Sequence, residues 1–258
     1  MKKKHRSVDN GKDKSILVPQ KEKVNFELNI RERTDLTDKQ KELNEIILNK
    51  ETKVVFINGP AGTSKTFCAI YCGLKMLNER RVSDIVYVRT IIESASKSLG
   101  SLPGEMGLKM EPFLMPLMDK MNEFLSVEQT KKLIAEERVK GIPVNYLRGA
   151  SMNAQYIICD EAQNFTFKEL TTAITRLGQF SKIIILADPN QSDINGKSGF
   201  MPMFDLFNGE ESASKGIHCF SFTKEDIVRS GILRYIAEKI ENYSVNHQPK
   251  HEPMFPTK

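Results

Sequence analysis

An α/β fold with a doubly wound, mostly parallel sheet is predicted by two features of the chain, and a third locates its site. Five short runs, KVVFING (53–59), DIVYVRT (84–90), AQYIICDE (154–161), SKIIILAD (181–188) and GIHCFSF (216–222), are β-branched and continuously apolar. Strands that are apolar on both faces are those covered by helices on both sides, as in parallel sheets. Segments long enough for crossover helices lie between or after them: FCAIYCGLKMLNER (67–80), FKELTTAITRLG (167–178) and GILRYIAEKIENY (231–243). The third feature is GPAGTSKT (59–66), which follows the first strand and opens the first crossover helix. That is the context in which a glycine-rich loop cradles phosphates, so the fold class is a P-loop NTPase.

In chain order, residues 1–34 are polar apart from Ile16-Leu17-Val18, which Pro19 halts, and read as a basic flexible tail with an extended lead-in. LTDKQKELNEIILNK (36–50) spaces Leu36, Leu43, Ile46 and Ile47 at helical intervals behind Thr37, a suitable N-cap. The ATPase domain is placed at 35–243, with a C-terminal tail at 244–258. A helical insertion rich in Met and Leu, about 102–140, breaks the strand–helix rhythm and is read as packing against the sheet. Gly178 stands where a helix C′ glycine belongs.

With 258 residues, 40% hydrophobic and 28% charged, the chain has the composition of a folded domain, which excludes collagen-like and wholly disordered classes. The absence of an apolar run of about 18 residues, and a basic start that leads into polar SVDNGKDK, predict a cytoplasmic chain with no membrane partner. Cysteines 68, 72, 159 and 219 form no CxxC pair and are expected to be reduced packing residues. Residues 1–14 carry six Lys/Arg against Asp9 and Asp13, which accounts for +4 of the +5 net charge. Such an arm either neutralises phosphates or solubilises the chain, and the near-neutral body adds little to the case for a polyanion.

Gly59, Pro60, Ala61, Gly62, Thr63, Ser64, Lys65 and Thr66 form the expected ATP-binding loop. Lys65 reaches the β- and γ-phosphates, and the Thr66 hydroxyl binds Mg²⁺. Ser64 replaces the second glycine of GxxxxGK[ST] and is expected in the first helical turn at ordinary φ and ψ. Strand YIICDE ends in Asp160, which would complete the Mg²⁺ shell, and Glu161, which would polarise the attacking water. IIILADPNQ brings Asp188, Asn190 and Gln191 to the same rim, the first two read as an Asp-Pro-Asn turn.

GPAGTSKT, the preceding LTDKQ, SLGSLPGEM, NYLRGASMNAQYIICDEAQN, ILADPNQSD and KEDIVRSGILRYI occur in the order seen in PhoH-like proteins. These are the phosphate-starvation ATPases also carried by many bacteriophages, and the chain resembles them over roughly 35–243. The resemblance implies a RecA-like core similar to the first motor domain of superfamily 1 helicases. It also implies ATP hydrolysis, with RNA or single-stranded DNA as partner. Gln40 resembles the glutamine that reads the adenine edge, Gln191 the γ-phosphate sensor, and Arg229 the arginine that stabilises the transferring phosphoryl group. An exposed helix glutamine and a surface ion-pair residue are the plain alternatives for Gln40 and Arg229. Arg89 and Arg148 lie near strand or loop ends where the family has basic or polar residues, and both are candidates for contact with nucleic acid. The departures are Ser64, and Ser230 where histidine is frequent.

One domain is too short for a two-domain inchworm, so a homo-oligomeric, hexameric ring in which a neighbour donates Arg229 is expected. The function read from the sequence is Mg²⁺-dependent ATP hydrolysis coupled to binding or remodelling of nucleic acid. The alternatives are an ATP-dependent nucleic-acid binding switch without unwinding and a ribonuclease-associated RNA-processing factor.

Overall fold

The computed structural model describes residues 27–90, 106–149, 151–194 and 196–228, with positions 231, 232, 235 and 239. The apolar runs form strands β1 (Val54–Asn58), β2 (Asp84–Arg89), β4 (Gln155–Cys159), β5 (Lys182–Ala187) and β6 (Ile217–Ser221), while β3 is Val139–Pro143. They make one parallel sheet in the order β3-β2-β4-β5-β1-β6. Alternate residues of each central strand enter opposite cores, as the two-residue period requires. Val55, Ile57, Tyr87, Ile158 and Ile184 pack beneath helices α1 (Asp38–Leu48), α2 (Lys65–Asn78), α3 (Met106–Met121) and α4 (Val127–Ala135). Phe56, Val88, Ile157 and Ile185 pack beneath α5 (Phe167–Thr175) and α6 (Phe200–Phe207), and α7 (Glu210–Ser214) leads into β6. All four cysteines are free and at least half-buried among these side chains. Burial pushes the Cys68 thiol up to about 12, consistent with a packing role.

Several expectations are corrected. The insertion is helical only to Ala135, and its last residues, Val139 and Lys140, begin β3. VKGIP was not foreseen as a strand; β3 pairs on one side only, with β2, and an edge strand tolerates its Gly141 and Pro143. Helix α6 was not foreseen; its Pro202 sits in the first turn, where the missing N–H costs nothing. Gly178 is not a C′ residue, since α5 ends at Thr175 with Arg176 as cap. It is glycine because a Cβ would lie 2.4 Å from the Met152 carbonyl oxygen. The lead-in belongs to the domain from residue 27: Leu28 is buried, its N–H donates to Asn78 Oδ1 (2.7 Å), and Arg31 N–H donates to the Phe124 carbonyl (2.8 Å). Of the helix expected at 231–243, positions 231, 232, 235 and 239 are helical. The rest of it lies outside the described residues, as do the tails at 1–26 and 244–258 and residues 91–105.

Helix α1 is started locally and ended by tertiary structure. Thr37 and Gln40 form a capping box at its N-terminus, but its last turn holds no basic residue. Its carbonyls are taken instead by cations from elsewhere: Lys182 Nζ donates to Ile47 and Asn49, and Arg81 Nη2 donates to Leu48 (2.7 Å). Lys182 is 3% exposed, and burial pushes its ammonium down to about 7. The unfolded chain keeps that proton until about pH 10.4, so stability rises with pH between about 7 and 10. Lys182→Met is expected to cost about 1–3 kcal/mol by orphaning buried carbonyls and to abolish that rise. Urea unfolding at pH 7 and pH 9.5 checks both.

Candidate functional site

The carboxyl ends of β1, β2, β4 and β5 meet at one edge, where a cavity of about 450 Å³ is lined by the phosphate loop, Asp160, Glu161, Asp188 and Gln191. The loop is held on both sides by the neighbours of β1. Gly59 N–H donates to the Ala187 carbonyl (3.2 Å), and Phe222 N–H to Asn58 (2.8 Å). A Cβ on Gly59 would lie 2.7 Å from Phe222 Cβ, so only glycine fits there. Thr63 is buried, and its hydroxyl donates to the Pro60 carbonyl (2.9 Å). Asp188 Oδ2 accepts from Ala61 N–H (2.8 Å) while Oδ1 accepts from Asn190 N–H (3.2 Å), so the expected turn also splints the loop. Burial pushes the Asp188 carboxyl up, opposed by the charge of Lys65 and by those backbone donors.

Ser64 departs from expectation. Its φ is 67°, in the left-handed region, which explains why the motif favours glycine here. Its side chain does not cap α2, so that hydroxyl leaves the first-turn amides to a phosphate. Lys65 Nζ donates to the Gly59 (2.5 Å) and Pro60 (2.9 Å) carbonyls, folded onto the loop.

Two adjacent carboxylates occupy different surroundings. Asp160 is 8% exposed, with Oδ1 accepting from the Thr66 hydroxyl (3.2 Å) and Oδ2 from the Tyr87 hydroxyl (2.5 Å). Burial pushes its carboxyl up, and the Tyr87 donor opposes this. Glu161 has φ 55° and is the N-cap of a short 3-10 turn, Ala162–Asn164. Its Oε2 accepts from Gln163 Nε2 (2.6 Å), and its Oε1 lies 3.3 Å from Arg89 Nη2. Gln163 also accepts from Asp188 N–H (3.1 Å), which ties the two strand ends together. A buried carboxylate hydrogen-bonded to a hydroxyl in the wall of a polar cavity is an oxygen donor pair that would suit Mg²⁺, which keeps waters and takes its other ligands from phosphate. Among the described residues there is no group of three or more His, Cys, Asp or Glu able to hold a metal.

Gln40 is buried and lines the cavity, but its Oε1 accepts from Thr37 N–H (3.1 Å). That capping bond uses one lone pair of the amide oxygen and leaves the other, with the amide N–H groups, for a ligand. Gln191 is exposed at the rim. Arg148 is exposed after the 3-10 turn Val144–Leu147 on the outer strand, away from the cavity lining. Arg229 and Ser230 lie outside the described residues; Val228, just before them, lines the cavity and donates its N–H to the Gly62 carbonyl (3.0 Å). The sequence reading missed Tyr87 and Gln163. A tyrosine within an otherwise aliphatic buried strand was the signal for the first, since a buried phenol needs a partner.

The profile of one family, described as PhoH-like protein, matches residues 32–241. The chain belongs to the PhoH family. Among curated relatives, the PhoH-like protein of Bacillus subtilis is 34% identical over 191 residues, 73% of this chain and 58% of that protein. The PhoH-like protein of Mycobacterium tuberculosis H37Rv is 33% identical over 198 residues, 76% of this chain and 54% of that protein. The chain thus spans a little over half the length of these PhoH relatives. Among solved structures, the Pif1 helicase of Candida albicans superposes with a TM-score of 0.38 at 13% identity, over 85% of this chain and 49% of that chain. With its six-stranded parallel sheet and phosphate loop, this PhoH-family chain has a P-loop NTPase fold.

Ser64→Gly is expected to raise the unfolding free energy by about 1 kcal/mol, the cost of a left-handed L-residue offset partly by glycine's entropy. A lower thermal midpoint contradicts that. Tyr87→Phe leaves a buried carboxylate short of a donor and is expected to cost about 1–3 kcal/mol at neutral pH. An acid whose folded-state pKa is raised loses stability as pH climbs through its titration. The deficit of Tyr87→Phe should therefore grow as pH rises above about 4, the ordinary aspartate value, which denaturant melts at a series of pH values measure.

Proposed function

We propose that the protein hydrolyses ATP with Mg²⁺ and couples hydrolysis to binding or remodelling of RNA or single-stranded DNA, as a helicase-like cytoplasmic ATPase. The observation that carries this reading is the Thr66–Asp160 pair beside Lys65, with Glu161 next in the chain. The loop amides and Lys65 bind and orient the phosphates, while Thr66 and Asp160 would hold the metal. Mg²⁺, when bound, neutralises charge on the phosphate oxygens. Glu161 accepts the proton of a water aligned at the γ-phosphate, and Gln191 at the rim orients that water.

Nucleic acid as partner, and a hexameric ring, follow from the family resemblance. In such a ring a neighbouring subunit would donate Arg229. No described helix is long and apolar enough to cross a membrane.

Glu161→Gln is expected to keep ATP bound while slowing hydrolysis at least ~10²-fold, the lower range for a lost general base. Lys65→Ala should lose both binding and turnover. Nucleotide binding by fluorescence and phosphate release, measured side by side, separate the two; parallel losses in Glu161→Gln contradict its role as base.

A further inference from the structure

Glu161, Gln163 and Gln191 line the nucleotide cavity on one side and a second cavity of about 630 Å³ on the other. Arg89, Thr90, Asn164 and Asp193 complete the second. The wall between them is the proposed catalytic base, and both of its oxygens are engaged. Gln163 donates to Oε2 (2.6 Å), and the Arg89 guanidinium faces Oε1 (3.3 Å) from the second cavity. A guanidinium at that distance holds the carboxylate in one orientation. The two side chains are 27% and 41% exposed, so the pair is screened and exchangeable.

We propose that Arg89 is a positioning residue that restrains Glu161, and that a single-stranded polynucleotide entering the second cavity draws Arg89 onto a phosphodiester and frees Glu161 for water. This rests on the ATPase reading above. A guanidinium matches two phosphate oxygens in a fork that the single 3.3 Å contact to Glu161 does not use. The rest of the lining selects the ligand. Asp193 is oriented by Asn164, whose amide donates to its Oδ2 (3.1 Å) and accepts from its N–H (2.8 Å). With Asp193 and Glu161 against one arginine, the cavity disfavours a free inorganic phosphate dianion. A phosphodiester brings one charge, together with sugar and base donors that a carboxylate accepts.

The test compares wild type, Arg89→Ala and Arg89→Lys in ATP turnover, with and without RNA and DNA oligonucleotides of one sequence. Binding of the same labelled oligonucleotides to nucleotide-free protein is followed by anisotropy across salt. Arg89→Ala is expected to raise strand-free kcat by about 2- to 5-fold, the population shift equivalent to a part-exposed ion pair. KM for ATP should stay unchanged, and the strand should add nothing further, whereas wild type is stimulated. Binding should weaken, with the log–log salt slope reduced by about one. Arg89→Lys keeps the charge and should keep the slope, which separates loss of a contact from loss of the fold. A fall in strand-free kcat, equal stimulation of wild type and Arg89→Ala, or unchanged binding overturns the proposal. Turnover that Lys65→Ala leaves intact overturns the ATPase reading itself; turnover that needs Lys65 but is not raised by Arg89→Ala overturns the restraint alone.

Discussion

Asp160 is a carboxylate taken out of water at the end of β4, and much of the site is arranged around that cost. Burying an ionised group without partners is far more expensive than any single contact in the fold. Two hydroxyls meet it, Tyr87 from β2 and Thr66 from α2, so two elements must be in register with β4 before the charge is tolerable. Even then burial pushes the carboxyl up, a sign that hydroxyl donors compensate only in part. A divalent cation at the cavity would supply the missing positive charge. Its neighbour Glu161 is kept partly wet and ion-paired, and the contrast between dry and wet carboxylates is how adjacent acids take different tasks.

Strand order turns those local facts into one site. Strand β5 lies between β1 and β4, so its terminal Asp188 stands between the phosphate loop and the acidic strand end. One side-chain oxygen holds Ala61, while its backbone N–H is held by Gln163, which also holds Glu161. The loop and the proposed base are therefore not independent: a shift of β5 moves both. Two left-handed residues, Ser64 and Glu161, sit at the ends of this linkage. Backbone strain of that kind persists only where the surroundings over-determine it.

Much of this was legible in the chain. Strands β1, β2, β4, β5 and β6 announced themselves because a strand covered on both faces must be apolar throughout, and the P-loop announced itself because phosphate binding needs particular residues at particular spacing. Strand β3 and helix α6 did not, because Gly141, Pro143 and Pro202 are breakers by propensity and are acceptable only through their positions, at a sheet edge and in a first helical turn. Ser64 was placed at ordinary dihedrals because a side chain's identity carries no record of the φ its neighbours impose.

The sequence by itself determined the fold class and singled out the groups proposed to carry the chemistry, Lys65, Thr66, Asp160 and Glu161, since periodicity and motif spacing are local properties of the chain. Only the tertiary structure decided their partners. Tyr87 lies 73 residues from Asp160 and Asp188 lies 127 from Ala61, and contacts across such separations depend on strand order, which no local pattern encodes. The ends of α1 show the same division: its N-terminal cap is written within four residues, whereas its C-terminal carbonyls wait for Lys182 and Arg81. A capping box needs only neighbours in sequence; an orphaned carbonyl can be satisfied by whatever donor the folded sheet brings within reach.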